Sequence, residues 1–416
     1  WKGKRMSSVQ VLEILRRSAQ GGTTAIRAIT KLEPAGGKGD KVLPPTYKDS
    51  AGKESVYAFE KRKIKGKEVD TVLLDSVQSQ ANRMEEALLE AHRSGKLTLP
   101  VFEIRIPNHE PVTSLTAPHR IHDAILRDSL LDGKPFRESD AGKRLVASRA
   151  WNATAFYEYA PTALLFGTWD SQSGAGTNSA KVARSLVSEV IAIDVVRGVK
   201  TSSRIDPLGI RLVRDVILRS EKPGEMWKFQ LPAMDAKSAD TKKSKKSDSA
   251  KSMKPSEINH GNVTPTITGE NGPGGVTFEE AIQTVVLSFT QLRRLRFPTK
   301  EGTALPERDA AGRAVLAALG LCAITFVWEE GLQLRSRCQL VPVERPIFEV
   351  LGRTATEHEP LAVDPVIAIE VLNKALKEAE KHGLTWQAKT ISLEPRADLV
   401  QLVEYSDKTT EPVEGE

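Results

Sequence analysis

The order in which apolar patterns follow one another constrains the fold of this chain more than any single motif does. Residues 69–106 read as a β-branched strand, a helix with apolar residues three and four apart, and a second strand of alternating polarity. Hairpin patterns separate such strand–helix–strand units, and parallel repetition is absent. The chain is therefore predicted to be an α+β protein of the ferredoxin-like kind, with an antiparallel sheet and helices on one face.

The C-terminal part continues this mixture. It predicts a strand at 275–288, a helix at 308–320, a β-hairpin over 321–341, an amphipathic helix at 364–383 and a closing strand at 385–394. Gly320 is expected to end the first of these helices. The longest apolar run, Ala314–Trp328, is shorter than the ~20 residues of a membrane helix, so no membrane span is predicted.

A lysine-rich segment interrupts the globular composition. Residues 235–256 contain seven Lys and three Asp, many Ser and almost nothing apolar, which is typical of a flexible insertion or linker. Residues 1–234 and 257–416 are then the N-terminal and C-terminal parts of one fold. The segment reads either as a solvated tether or as a basic arm that contacts nucleic acid.

The charge permits a nucleic-acid partner without requiring one. The 416 residues carry a formal net charge of +6, with acidic residues mixed among the basic ones. Only 5% of the residues are aromatic, too few to supply both a core and exposed rings for stacking bases. Contact with the phosphate backbone is therefore favoured over stacking.

Both cysteines, Cys322 and Cys338, lie in apolar runs and are expected to be buried, reduced thiols. No signal peptide is recognisable at the start of the sequence. A soluble, cytoplasmic protein is expected.

A Gly-rich loop followed by basic residues raises the question of phosphate binding. The stretch LLFGTWDSQSGAGTNSAKVARSLVSEV (164–190) predicts a strand at 163–169, a loop, and a helix at 179–193. The spacing i, i+3, i+4 and i+7 would place four polar side chains on one face of that helix: Lys181, Arg184, Ser185 and Ser188. This face is expected to hold a phosphate beside the loop's backbone amides, and the alternative is a solvated polar face behind a flexible loop.

Motifs for catalysis and cofactor binding fail at the positions that carry the chemistry. Ala180 stands where a nucleotide-hydrolysing loop needs its second Gly, and Val182 replaces the magnesium-binding hydroxyl. The Gly-Ala-Gly of the loop is followed by Thr-Asn-Ser, which excludes the dinucleotide fingerprint. His119 and His122 are three residues apart without further ligands beside them. No catalytic residue, metal or cofactor is therefore assigned.

Further polar segments favour contact with a phosphate backbone. The predicted strand-to-helix turn at 76–83 is dense in hydrogen-bonding side chains, although helix capping by Ser76 or Ser79 would explain one of them. Polar loops follow at 200–204 and 259–262. Five arginines add positive charge in the C-terminal part: Arg293, Arg294, Arg296, Arg335 and Arg337.

Several of these segments run in order over most of the chain in a recognisable pattern. They are LLDSVQSQANRMEEALLEA (73–91), TAPHRIHDAILRDS (116–129), PFRES-DAGKRL (135–145), NATAFYEYAPTALLFGTWDS (152–171), AKVARSLVSEVIAID (180–194), VKTSSRIDPLGI (199–210), SEINHGNVTP (256–265), LRRLRFP (292–298), RDAAGRAVLAALGL (308–321) and LRSRCQLVP (334–342). In this pattern the chain resembles the backbone subunit of Cascade-type CRISPR effector complexes. These subunits belong to the "Cas seven" group of the RAMP superfamily, and the nearest variant is subtype I-U, now I-G.

The resemblance implies a modified RNA-recognition-motif palm with inserted finger and thumb elements. Several copies would assemble head to tail on one CRISPR RNA, grip its backbone and present its bases for pairing with a target DNA strand. The implied partners also include the large subunit and the repeat-handle-binding subunit of the complex. Such subunits are not expected to cleave DNA, since a separate helicase–nuclease is recruited for that, and no membrane is involved.

The resemblance also suggests which side chains contact RNA. The predicted contacts are Ser76, Gln78, Ser79, Gln80, Asn82, Arg83, Lys181, Arg184, Ser185, Ser188, Ser202, Ser203, Arg204, His260, Asn262, Arg293, Arg294, Arg335 and Arg337. A second hypothesis is a RAMP-type endoribonuclease, for which Asp170 and His260 are the candidate catalytic residues. A third is a generic single-strand binder that is indifferent to the CRISPR repeat.

Overall fold

A computed structural model describes residues 6–170, 181–210, 216–220, 225–230, 252–267 and 273–408. The chain divides into two compact units. The larger unit comprises residues 1–197 and 275–397, and the smaller unit comprises 198–274 and 398–416. The Gly-rich loop with Gly174 and Gly176, and most of the lysine-rich segment, lie outside the described residues, so the division predicted around 235–256 stays a prediction.

The helices and strands are bounded as follows. The helices are α1 (Ser8–Gln20), α2 (Val77–Arg93), α3 (Ala124–Arg127), α4 (Asp140–Ala147), α5 (Thr154–Tyr159), α6 (Pro161–Phe166), α7 (Phe289–Leu292), α8 (Pro306–Glu330), α9 (Pro365–Lys381) and α10 (Ala397–Lys408). The first eleven strands are β1 (Ala25–Pro34), β2 (Thr46–Lys48), β3 (Ser55–Tyr57), β4 (Phe59–Ile64), β5 (Lys67–Asp75), β6 (Val101–Ile104), β7 (Val112–Thr113), β8 (Ser129–Leu131), β9 (Lys134–Pro135), β10 (Thr168–Trp169) and β11 (Lys181–Val182). The remaining strands are β12 (Leu186–Arg197), β13 (Thr201–Arg204), β14 (Ile217–Arg219), β15 (Trp227–Phe229), β16 (Val263–Ile267), β17 (Val276–Ser288), β18 (Leu332–Arg335), β19 (Cys338–Pro342), β20 (Phe348–Leu351), β21 (His358–Leu361) and β22 (Thr390–Pro395).

An antiparallel sheet forms the centre of the larger unit. Its strand order is β18-β19-β1-β17-β12-β5-β4, and β20 and β21 extend it beside β1. The longest pair is β12 with β17, which run opposite each other from Leu186 and Leu287 to Arg197 and Val276. A second sheet, of order β7-β6-β22-β8-β9, completes the unit. The α+β class with an antiparallel sheet is thus confirmed, as are the predicted strands and helix over 69–106, the strand at 275–288 and the helix at 364–383.

Helix α8 lies against the central sheet. The hairpin predicted over 321–341 was wrong in its first part, because those residues belong to this helix. The helix continues through Gly320 to Glu330 and ends at Gly331, and only residues 332–342 form a hairpin. Nearly every side chain of α8 is buried, so the polar period that usually reveals a helix is missing. Gly320 faces the sheet, where a Cβ at this position would lie 3.4 Å from Leu287. Helix α8 is long and apolar enough to cross a membrane, but its apolar part is entirely buried within the protein.

The stretch around the Gly-rich loop also differs from its prediction. Residues predicted as a strand at 163–169 form mostly helix α6, which begins at Pro161 and ends where Gly167 adopts φ +83°. Of the residues predicted as a helix at 179–193, the described ones, 181–193, lie mostly in β11 and β12. β-Branched residues dominate β12, and this tendency to form strand outweighs the helical spacing of its apolar positions.

The described part of the smaller unit contains two-stranded ribbons. β13 pairs with β16, and β14 pairs with β15, both antiparallel. A 3-10 turn at Pro255–Ile258 precedes β16 and ends at Asn259 in the left-handed conformation, with φ +59°.

Candidate nucleic-acid interface

A buried polar network occupies the place where β5 meets α2. The Gln80 amide donates to Asp75 Oδ2 at 2.7 Å, and its Oε1 accepts from the Ser188 hydroxyl at 2.7 Å and from Gln283 Nε2 at 2.9 Å. Trp328 Nε1 closes the network by donating to Gln283 Oε1. Gln80 and Ser188 were predicted to contact RNA, but both are buried and their polar atoms are bonded within the chain.

Two predicted arginines also bind this network. Arg83 Nε donates to Asp75 Oδ2 at 2.9 Å, and Arg335 Nη2 donates to Asp75 Oδ1 at 3.1 Å. Arg335 also donates to the main-chain oxygen of Leu74, and Arg83 to that of Leu334. Asp75 is fully buried, whereas about a quarter of each arginine side chain remains exposed. Their first role is therefore to neutralise a buried carboxylate and to join α2 to the edge strand β18.

The turn before α2 is a helix cap. The Ser76 hydroxyl accepts a hydrogen bond from the backbone N–H of Ser79, which satisfies one of the free amides of the first helical turn. The alternative interpretation of this polar cluster is therefore correct for Ser76. Gln78 and Asn82 are exposed, and they are the two residues of this segment whose side chains face solvent.

The basic residues after the Gly-rich loop lie on a short ribbon rather than on a helix face. β10 pairs with β11, which places Trp169 directly opposite Lys181. Lys181 and Arg184 are exposed, whereas Ser185 is buried and donates to the main-chain oxygen of Leu164. In an extended chain the four predicted residues cannot share one face. The predicted helical face is therefore wrong, but its two cations remain exposed together near the ribbon.

The ribbon is anchored by two arginines at the turn where α6 ends. Arg184 Nε donates to the main-chain oxygen of Phe166 at 3.1 Å. Arg120, itself at φ +54°, reaches the main-chain oxygen of Gly167 at 3.5 Å. A side chain at position 167 would meet Arg184 Cγ at 2.9 Å, so this turn requires glycine both for space and for its positive φ.

A buried ion pair with Glu85 fixes the position of Arg120. Its Nε and Nη2 each donate to a carboxylate oxygen of Glu85 at 2.7 Å, the parallel geometry that suits a guanidinium. Burial raises the pKa of Glu85 to about 7, while the hydrogen bonds and charge of Arg120 lower it. Sequence reasoning missed this pair because its partners are 35 residues apart and no local pattern links them.

A second buried cluster lies beneath β10. Arg137 Nη2 donates to Asp170 Oδ1 at 2.8 Å, and His122 Nδ1 lies 3.9 Å from Asp170 Oδ2. Burial lowers the pKa of His122 to about 4, against the opposing charge of Asp170. Asp170 is only 1% exposed, so in this structure its carboxylate is not presented to a nucleic acid.

The remaining predicted contacts of the larger unit are dispersed. Arg293 donates to the main-chain oxygens of Ser18 and Thr23, and burial lowers its pKa. Arg294 is exposed. Arg337 is exposed, adopts φ +54° and contacts Asp40 at 3.4 Å.

The predicted contacts of the smaller unit lie around one turn. Arg204 donates to Asn259 Oδ1 and to the main-chain oxygens of His260 and Gly261, so this side chain holds the 259–262 loop together. Asn262 Oδ1 accepts from the backbone N–H of Asp206. Ser202 and Ser203 are exposed on β13. These residues therefore stabilise a loop, and their exposed edges are what a ligand could touch.

Exposed tryptophans are the feature that sequence reasoning missed. Trp169 is 59% exposed and Trp151 is 70% exposed, although the low aromatic content had favoured backbone contact alone. Strand alternation in Thr168-Trp169-Asp170 could have revealed the first, because its two polar neighbours are buried and the ring must then point outward.

The described residues offer little for metal or thiol chemistry. They contain no group of three or more His, Cys, Asp or Glu side chains that could hold a metal ion. Cys322 and Cys338 are free and buried, as predicted, and burial raises the pKa of both thiols.

Comparison with known proteins adds an independent observation about the segment that carries the ribbon. No curated protein matches the chain. A family described as CRISPR-associated protein GSU0053 matches residues 26–197, less than half of the chain but including all but the first residue of β1, and α2, Arg120 and the β10–β11 ribbon. This match supports a CRISPR-associated protein.

Proposed function

We propose that the protein is a non-catalytic, CRISPR RNA-binding backbone subunit of a DNA-targeting Cascade complex. The observation that carries the proposal is the exposed cation pair of Lys181 and Arg184, within the segment matched by a CRISPR-associated family. In the described part of the chain neither cation forms an ion pair, and Arg184 donates only through Nε to a main-chain oxygen. Such cations are available to phosphates, which bind without regard to base identity.

The fold is compatible with the proposal. An RNA-recognition-motif palm has an antiparallel sheet with helices packed against it, and the central sheet of this chain is antiparallel, with α8 packed against it. Several copies would bind head to tail along one guide, together with the large subunit, the repeat-handle-binding subunit and a recruited helicase–nuclease. Such a filament needs a different patch on each side of the subunit. We place it in the cytoplasm, with no cofactor.

The smaller unit is a candidate for the thumb element of such a palm. Its ribbons and loops expose apolar side chains that a soluble surface usually hides: Ile205, Leu208, Met226, Phe229 and Ile267. Lys228 lies between Trp227 and Phe229 on β15 and adds a positive charge. Apolar side chains with basic neighbours suit contact with unstacked bases.

Replacing both Lys181 and Arg184 with Ala is expected to weaken RNA binding equally for all guide sequences. Each lost phosphate contact should also reduce the slope of log affinity against log salt by about 0.7, the value for single strands. Filter binding or fluorescence anisotropy over a series of salt concentrations measures both quantities. Lys377→Ala with Lys381→Ala, on the exposed side of α9, is the matched control and should leave the slope unchanged. An unaltered slope in the Lys181/Arg184 variant would contradict phosphate contact.

The runner-up is an endoribonuclease that uses Asp170 and His260. Asp170 is buried and ion-paired to Arg137, and His260 lies in the other unit, packed against the Trp227 ring. The assembled complex, incubated with labelled guide and target RNA, is expected to leave both intact. Regularly spaced cuts that disappear in Asp170→Asn or His260→Ala would favour the nuclease instead. Binding that is indifferent both to the CRISPR repeat and to the partner subunits would favour a generic single-strand binder.

A further inference from the structure

The ring of Trp169 points outward from a strand whose neighbouring side chains are buried. A tryptophan usually buries most of its surface. Trp169 instead keeps 59% of its surface exposed, while its neighbours Thr168 and Asp170 are 8% and 1% exposed. The strand thus turns two polar side chains inward and the largest apolar one outward. That is the reverse of what burial of apolar surface alone would select.

The segment that carries the Trp169 ring is held in place by buried contacts. Val182, which lies opposite Thr168 in the ribbon, is buried, Asp170 is ion-paired with Arg137, and the preceding turn is bound by Arg120 and Arg184. A ring on an ordered strand loses little conformational freedom when a flat ligand packs on it. More of the stacking energy therefore appears as affinity.

Positive charge surrounds this ring. Lys181, directly across the ribbon, places its Nζ 5.5 Å from the centre of the Trp169 ring, and Arg184 is exposed nearby in sequence. An exposed cation–π contact is weaker than the stacking of a base on an aromatic ring. A base can therefore replace the ammonium over the ring and leave Lys181 to meet the adjoining phosphate. An aromatic face with flanking cations is the arrangement that binds single-stranded nucleic acid.

We infer that Trp169 is a stacking platform for one base of the bound RNA, with Lys181 and Arg184 holding the phosphates beside it. This inference rests on the proposed function and adds to it a contact with a base, where the sequence suggested contact with the backbone alone. Stacking tolerates every base, so it is compatible with a guide whose sequence varies. A protein partner that docks on Trp169 is the competing occupant.

The full chain with Trp169→Ala tests the inference against a synthetic single-stranded RNA. The affinity is expected to fall roughly tenfold, and the dependence on salt should stay as in the wild type because stacking releases no counterions. Trp169→Phe should recover most of the loss. Trp151→Ala removes a more exposed tryptophan and is the matched control, which should bind as the wild type does.

An RNA of the same length whose nucleotides lack bases separates stacking from charge. On this probe the wild type and Trp169→Ala should bind equally, whereas the double change at Lys181 and Arg184 should still weaken binding. Unchanged affinity of Trp169→Ala for normal RNA would overturn the stacking contact and favour a protein partner, while leaving the proposed function in place. An equal loss in Trp151→Ala would overturn it too, and a wild type that binds no RNA would overturn both proposals.

Discussion

Asp75→Ala is expected to destabilise the larger unit by about 3–5 kcal/mol, the usual cost of removing one partner from a buried charge cluster. Asp75 is fully buried and accepts hydrogen bonds from Gln80, Arg83 and Arg335. Its removal leaves two mostly buried guanidinium groups without their carboxylate and Gln80 without its acceptor. The loss should appear as a lower midpoint in urea or thermal unfolding.

Two further variants make this expectation specific. Asp70→Ala changes a carboxylate that is exposed on the same strand β5, and its effect should be within about 0.5 kcal/mol of zero. Asp75→Asn keeps the shape but not the charge, so it should be destabilising by an intermediate amount. Equal midpoints for Asp75→Ala and Asp70→Ala would mean that the network contributes nothing to stability.

The same network shows why some residues predicted to contact RNA could not be recognised, from the sequence alone, as residues that stabilise the fold. Asp75 and Arg335 are separated by 260 positions, and Ser188 and Gln80 by 108, so their pairing depends on a sheet that brings distant strands together. A cluster of polar residues at the start of a helix looks the same whether it faces solvent or a partner strand. Only the neighbours decide, and the sequence does not state them.

The elements that were predicted correctly are those with one buried face. The strand β5, helix α2 and helix α9 show a clear apolar period because one side of each meets the core. Helix α8 was partly misassigned because it is buried all round, and β12 because its apolar positions fit a helical spacing as well as a strand. For β12 the β-branched content was the better guide, whereas in α8 the β-branched residues Ile324, Thr325 and Val327 favoured a strand that the structure does not form.

Trp169 shows a different limit of the sequence. The aromatic content was too low to predict stacking, yet a single exposed ring at an anchored position is enough to form one base contact. Composition reports how many rings exist, whereas function depends on where each ring lies. Alternation between Thr168 and Asp170 was the available signal, and its value depended on knowing that this segment is a strand and that both neighbours are buried.

The buried histidine beneath the same ribbon should make the stability of the larger unit depend on pH. Burial lowers the pKa of His122 from 6.5 to about 4, so between these values the unfolded chain binds a proton that the folded chain does not. The stabilisation is therefore complete above pH 6.5 and is lost as the pH falls towards 4, by about 3 kcal/mol in total. Asp170 faces His122 and opposes this shift, whereas Arg137 and Arg149 add to it.

Glu85 acts in the opposite direction and has to be separated from His122. Its pKa is raised to about 7 from 4.5, so the folded chain retains a proton that the unfolded chain has lost, and the free energy of unfolding falls as the pH rises through this window. The wild-type profile should be flatter than either group alone would produce. Glu85→Gln should therefore steepen the rise of stability with pH that is due to His122.

His122→Gln isolates the contribution of the histidine. The free energy of unfolding of the wild type, relative to that of His122→Gln, should rise by about 3 kcal/mol from pH 4 to pH 6.5. Over this range only the wild type has a ring that binds a proton in the unfolded chain but not in the folded chain. His119→Gln, which changes an exposed histidine three residues earlier, is the matched control. Since His122 lies beside Asp170 at the end of β10, acid should also weaken RNA binding in the wild type more than in His122→Gln. A pH-independent difference for His122→Gln would show that this ring titrates alike in the folded and unfolded chains, and the ribbon would then not be coupled to its protonation.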